Sequence, residues 1–144
     1  MAAPIYDPRN VIVTYGGQIL TGFADDTFIE IDIPDLGFEG KVGAYGEGGR
    51  VKKNNGMGTV KLTMLQWSTS NDVLSLGFNA DMLSYTGAKE LRIQDLLGTS
   101  LFHTPGAYVK KWPTKSYSTA HEALEWELEF LRVSAMHVGQ SQQL

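Results

Sequence analysis

The side chains that could bind a metal or act as catalytic bases are few in this sequence and lie far apart. The three histidines, His103, His121 and His137, share no spacing typical of metal ligands. His121 is followed directly by a glutamate, but the second histidine that a zinc-binding helix needs is missing. There are no cysteines, so a thiolate site and a disulfide framework are excluded. The sequence therefore predicts no metal, no cofactor and no enzymatic centre.

Three carboxylates alternate with large apolar residues near the end of the chain. Glu125, Glu127 and Glu129 are interleaved with Leu124, Trp126, Leu128 and Phe130. A period of two indicates a strand with the acids on one face, about 7 Å apart. A glycosidase needs carboxylates facing each other across a cleft, which a row does not supply. The row is therefore either a solvated face or the lining of a channel in an assembly. Glu30 and Asp32, which alternate with isoleucines, are the other candidates for such a lining.

A basic, glycine-rich segment occupies residues 41–61. It holds five of the twelve basic residues and one acid, a formal charge of about +4. Its glycines match neither a phosphate-binding loop nor a dinucleotide-binding turn. The pattern predicts a long basic loop over about residues 42–58, which is either solvated surface or a contact site for another subunit.

The segment before the basic loop is acidic. Between Arg9 and Lys41 there is no base, and the acids there are Asp25, Asp26, Glu30, Asp32, Asp35 and Glu39. An acidic region and a basic protruding loop would make two ends of one subunit complementary. Contacts of this head-to-tail kind are heterologous, and they close into rings or stack into filaments.

The remaining pattern is mainly β. Short alternating segments, a Gly16-Gly17 hairpin signal and frequent Thr, Val and Ile favour strands. One helix is expected at about residues 69–82, after a run of N-capping residues and with Asp72 in its first turn. The prediction is one domain over residues 1–144, with a β-sandwich or barrel-like fold and short N-terminal and C-terminal arms.

Composition excludes some classes of protein. The net charge of −4 argues against general nucleic-acid binding. The N-terminal residues lack the charged and apolar regions of a signal peptide. No run of about 18 apolar residues is present, so no membrane anchor is expected.

Three stretches carry a resemblance to a known family: TGFADDTFIEI, KVGAYGEGGRVKKNNGMGTVKLTM and SNDVLSLGFNADM. In their order and content they resemble the tail tube proteins of contractile-tailed phages, which are related in fold to the type VI secretion tube. The resemblance covers nearly the whole chain. It implies a virion tail protein, made in the cytoplasm of the bacterial host, that forms hexameric rings stacked into a tube. The implied partners are other copies of the chain, the tail sheath, the tape measure protein, the genomic DNA (bound without sequence specificity), the baseplate and the tail terminator.

The resemblance also implies roles for the charged segments. The inter-ring contacts are expected from the loop residues Lys41, Arg50, Lys52, Lys53, Asn54 and Asn55. The acidic counter-surface is expected from Asp25, Asp26, Asp35 and Glu39. The bore would be lined either by Glu125, Glu127 and Glu129 or by Glu30 and Asp32, because an acidic wall repels phosphates.

Two other functions remain open at this point. One is a tail terminator or adaptor ring of the same fold, which would form a single ring and would need no repeating top-to-bottom contact. The other is a monomeric β-sandwich that binds carbohydrate or acts as an enzyme. Such a protein would show an aromatic platform or convergent carboxylates.

Overall fold

A computed structural model describes residues 11–24, 29–96, 101–114, 123–133 and 135–137. For residues 135–137 only the backbone is described. The strands and the helix in chain order are β1 (Val11–Tyr15), β2 (Gln18–Leu20), β3 (Ile29–Asp32), β4 (Leu36–Val42), β5 (Gly48–Asn54), β6 (Gly58–Met64), α1 (Ser70–Ser84), β7 (Lys89–Asp95), β8 (Leu101–Lys111), β9 (Leu124–Phe130) and β10 (Ala135–His137).

The strands form one large antiparallel sheet and one separate hairpin. The large sheet has the order β2-β1-β7-β8-β9-β6-β3, and β10 pairs with β8. Among the residues that the structure describes, strands β4 and β5 pair only with each other. The mainly β fold with one helix is thereby confirmed.

The two ends of the large sheet meet through the residues that follow β2. The N–H of Ala24 donates to the carbonyl of Thr63 at 3.0 Å, and the N–H of Leu65 donates to the carbonyl of Gly22 at 2.8 Å. Phe23 forms an isolated bridge with Met64 at the same place. Because β2 and β6 lie toward opposite ends of the strand order, these bonds close the sheet around its core.

The core lies on the concave face of this sheet and under α1. The largest fully buried side chains are Trp126, Tyr15, Phe130, Leu62, Met64, Leu74, Leu91 and Leu128. Each stabilises the fold by about 1.5–3 kcal/mol through burial of apolar surface. At Gly77 the helix packs on Tyr15, since a Cβ there would lie in van der Waals contact with the ring, 3.4 Å from Cε2.

The helix begins and ends close to the predicted positions. It covers Ser70–Ser84 and ends at Tyr85, whose φ of 58° places it in the left-handed region. Thr69 makes no side-chain cap, and instead the hydroxyl of Ser68 accepts from the N–H of Ser70 at 3.2 Å. Strand β6 ends at Met64, where a turn leads into α1.

The prediction of a long loop over residues 42–58 is wrong. Most of that stretch belongs to a regular β-hairpin, in which Leu36 pairs with Asn54 and Val42 pairs with Gly48. Only the turn at residues 43–47 and the connection at residues 55–57 are irregular. The hairpin escaped prediction because both of its faces are exposed, so its sequence lacks the apolar alternation of a half-buried strand.

Candidate functional site

The β4–β5 hairpin is the most exposed ordered element of the described chain. Every residue of β5 is exposed, and so is every residue of β4 except Gly37. At the tip, the N–H of Gly43 donates to the carbonyl of Glu47 at 2.6 Å, and Gly46 adopts a φ of 87° that favours glycine. At the base, Nδ2 of Asn55 donates to Oδ2 of Asp35 at 3.3 Å. The hairpin is thus hydrogen-bonded along its length.

Strand register gives the hairpin two chemically different faces. The first, which we name the basic face, carries Leu36, Phe38, Val42, Arg50, Lys52 and Asn54. The second, the mixed face, carries Glu39, Lys41, Val51 and Lys53. On the mixed face, Nζ of Lys53 lies 3.9 Å from Oε2 of Glu39. Five of the six predicted contact residues therefore lie on the two strands but point to opposite sides, and Asn55 follows the hairpin.

In the structure, two of the four predicted acids lie on or beside the basic hairpin, so these two do not form a separate end of the subunit. Glu39 lies on β4 and faces Lys53 within the same hairpin, and Asp35 lies at its base beside Asn55. Sequence order placed these acids before the basic segment, but antiparallel pairing folds the two segments together. Asp25 and Asp26 lie outside the described residues.

The two alternative sets of channel-lining acids lie on the same face of the large sheet. Glu30 on β3 is opposite Lys61 on β6, which is opposite Glu127 on β9. In the next row Asp32 is opposite Thr59, which is opposite Glu129. We name this surface the charged sheet face. It also includes Glu125, and its strands turn their other side to the core.

The glutamate row on β9 is partly covered by β8. Nζ of Lys110 lies 3.6 Å from Oε1 of Glu127 and 3.7 Å from Oε2 of Glu129. The exposed fractions of the two glutamate side chains are only 20% and 14%. The hydroxyl of Tyr108 donates to Glu129. Burial, with this hydrogen bond as a further cause, raises the pKa of Tyr108 to about 12. Glu30, Asp32 and Glu125 are the exposed acids of the charged sheet face.

Histidine chemistry finds no support in the described residues. Nε2 of His103 lies 3.3 Å from a carboxylate oxygen of Glu90. His121 lies outside the described residues, and only the backbone of His137 is described. Within the described ranges there is no group of three or more metal-ligating side chains and no helix long and apolar enough to cross a bilayer.

Sequence reasoning missed two groups that the structure brings forward. The first is the apolar part of the basic face, Leu36, Phe38 and Val42, where Gly40 interrupts the alternation that could have signalled one face of a strand. The second is an aromatic cleft of about 270 Å³ between the start of α1, the end of β8 and the start of β9. Trp67 and Trp112 lie at this cleft, and both are exposed.

Comparison with known proteins finds a relative of similar sequence and a solved structure of similar fold. No family model matches the chain. The chain is 28% identical over 142 residues to "Structural protein ORF10" of Pseudomonas phage KPP10, a match that covers 93% of this chain and 82% of that protein. Among solved structures, it resembles the cryo-EM structure of the anti-feeding prophage cap, described as a tube terminating cap. The TM-score is 0.63 with 15% identity, and the match covers 93% of each chain. The second likeness establishes a shared fold.

Proposed function

We propose that this protein is a structural component of a phage tail, and that its copies form rings that stack into the tail tube. The relative of similar sequence is named a phage structural protein, and the protein of similar fold is named a tube terminating cap. The tail tube resemblance in the sequence supports the more specific role. The proposed role is structural and not catalytic.

The observation that carries the proposal is the exposed hairpin. An isolated two-stranded hairpin is only marginally stable in water. This one also exposes Leu36, Phe38, Val42, Tyr45 and Val51. Exposed apolar groups concentrated on one projecting element are typical of an interaction surface. When the surface that receives such an element lies elsewhere on an identical copy, the contact is heterologous, and it generates closed rings or stacked filaments.

A bore for DNA would be formed by the charged sheet face. The exposed acids Glu30, Asp32 and Glu125 would repel phosphates. Lys110 is exposed, but it lies 3.6 and 3.7 Å from two carboxylates, which would offset its attraction for phosphates. A wall with exposed acids and paired bases allows a polyanion to slide without binding. In this arrangement the tape measure protein and then the genome occupy the bore, the sheath surrounds the tube, and the baseplate and terminator close its ends.

A second function, a tail terminator or adaptor ring, is favoured by the tube terminating cap. That protein matches 93% of this chain with the same fold. A terminator forms one ring at the end of a tube, so it contacts a neighbouring ring on one side only. The two roles therefore predict different assemblies from the same subunit.

Electron microscopy of the purified protein tests the proposal and separates the two roles. A tube subunit gives stacked rings or tubes at high protein concentration, with light scattering that rises with concentration. A terminator gives single rings of one size. A protein that stays monomeric at high concentration, across a range of salt, would contradict both roles and would favour the monomeric β-sandwich.

A further inference from the structure

The two faces of the hairpin differ in how far their charges are already satisfied within the subunit. On the mixed face, Lys53 has an acidic partner in Glu39, at 3.9 Å. On the basic face, strands β4 and β5 place Arg50 and Lys52 with no acidic side chain. The turn acid Glu47 is engaged at the tip, where its Oε2 accepts from the N–H of Tyr45 at 3.2 Å. The basic face thus presents positive charge that its own hairpin does not neutralise.

The basic face also combines charge with apolar surface. Cζ of Arg50 lies 5.0 Å from the centre of the Phe38 ring, a cation–π arrangement. Phe38 is 62% exposed and Val42 is 76% exposed. Arginine and aromatic side chains are enriched where one protein binds another, since both bury apolar area and retain polar contacts. The mixed face has one large apolar residue, Val51.

Charge complementarity identifies the occupant of this face. Residues 36–54 carry four bases and two acids, a formal charge of about +2, while the rest of the chain carries about −6, which gives −4 in total. The body of a second copy therefore presents the opposite charge to the hairpin.

We propose that the basic face, and not the mixed face, is the surface by which the hairpin docks on an acidic surface of a second copy of this chain. This inference rests on the proposed tail role and specifies its partner. Phe38 and Val42 supply the apolar part of the contact. Arg50 and Lys52 supply attraction and register, because charge pairs at an interface act mainly on specificity and on the rate of association.

Two double charge reversals with the same change in net charge test the inference. Arg50→Glu with Lys52→Glu alters the basic face, and Lys41→Glu with Lys53→Glu alters the mixed face. We expect the basic-face variant to raise the protein concentration needed for assembly by roughly tenfold or more, because several contacts are lost in every copy. The mixed-face variant should assemble like the wild type, a result that would remove Lys41 and Lys53 from the inter-ring contacts expected from the sequence. Circular dichroism melts of both variants show whether the subunit remains folded.

The other possible outcomes contradict either the inference or the proposed function. If both variants fail to the same degree, net charge and not the face decides assembly, and the inference is overturned. It is also overturned if only the mixed-face variant fails, or if both variants assemble normally. If the wild type does not assemble, the proposed function itself fails, which is a distinct result.

A second pair of variants tests the apolar part of the contact without changing the net charge. Both changes are at exposed positions, so the subunit should remain folded. Phe38→Ser should impair assembly, and Val51→Ser, on the mixed face of the same hairpin, should not. Amide hydrogen exchange compared between subunits and assemblies gives an independent measurement. We expect new protection at β4 and β5 on assembly, and unchanged exchange there would overturn the inference.

Discussion

Trp126 and Asn71 connect the sheet to the helix by a partly buried hydrogen bond. Nε1 of Trp126, a residue only 1% exposed, donates to Oδ1 of Asn71 at 2.9 Å. Nδ2 of Asn71 donates in turn to the carbonyls of Leu65 and Gln66, at 3.0 and 3.3 Å. A single side chain in the first turn of α1 therefore fixes both β9 and the turn that follows β6.

Replacing this asparagine tests its role in the fold. Asn71→Ala leaves a buried indole N–H without its acceptor, so we expect the free energy of unfolding to fall by about 1–3 kcal/mol. Asn71→Asp keeps an acceptor for Trp126 but loses the two bonds to the carbonyls of Leu65 and Gln66, so it separates the two contributions. Urea denaturation of both variants measures the difference. Equal stability of Asn71→Ala and the wild type would show that the bond adds nothing to the fold.

Gly58 allows β3 and β6 to approach closely at the base of the hairpin. A Cβ at this position would lie 2.3 Å from the carbonyl oxygen of Asp32 and 2.8 Å from Cζ of Phe130. We expect Gly58→Ala to destabilise the subunit by about 1–3 kcal/mol or more, because backbone must move to relieve the overlap. Gly49→Ala is the matched control, since a Cβ there meets nothing within 4 Å. Thermal melts that rank the two variants in the opposite order would contradict the explanation.

Tyr15 links protonation to stability at high pH. Its hydroxyl donates to the carbonyls of Gly87 and Ala107, at 2.7 and 3.1 Å. Burial, with the negative charge of Asp81 as a smaller cause, raises its pKa to about 12. Since the folded state favours the protonated phenol, this stabilisation is complete below about pH 10 and is lost as the pH rises from about 10 to 12.

The tyrosine prediction is measured as stability against pH. Between pH 10 and 12 the wild type should lose on the order of 2 kcal/mol of unfolding free energy through this group. Tyr15→Phe should be less stable at neutral pH, but its stability should fall less over the same pH range. Tyr108→Phe is the control for the other tyrosine with a raised pKa. Parallel pH curves for Tyr15→Phe and the wild type would rule out this linkage.

The proposed bore makes a prediction about DNA passage. Glu30→Lys places an exposed cation on the charged sheet face, where it would attract phosphates. We expect tails with this change to assemble but to eject DNA more slowly, with a delay that shrinks as salt is raised. Asp72→Lys makes the same charge change on the exposed side of α1. Equal ejection rates for the two variants would show that the charged sheet face does not line the bore.

Local patterns in the sequence were sufficient to predict several strands, a turn and the helix. The alternation from Leu124 to Phe130 fixed the strand and its buried side, because successive side chains of a strand point in opposite directions. The Gly16-Gly17 pair marked the β1–β2 hairpin, and both glycines adopt positive φ. The helix was found within two residues at each end. These features depend only on residues near one another in the chain.

Tertiary structure alone decided which distant residues share a surface. Glu30 and Glu127 are 97 positions apart, and only the pairing of β3, β6 and β9 brings them to one face. The same is true of Lys110, which β8 places between two glutamates. Strand order is set by the total burial of apolar surface over the whole sheet, so no local pattern encodes it. In the hairpin both faces are in solvent, so its sequence has no regular apolar alternation from which a strand could be predicted. Only the backbone pairing shows that Arg50 and Lys53 point to opposite sides.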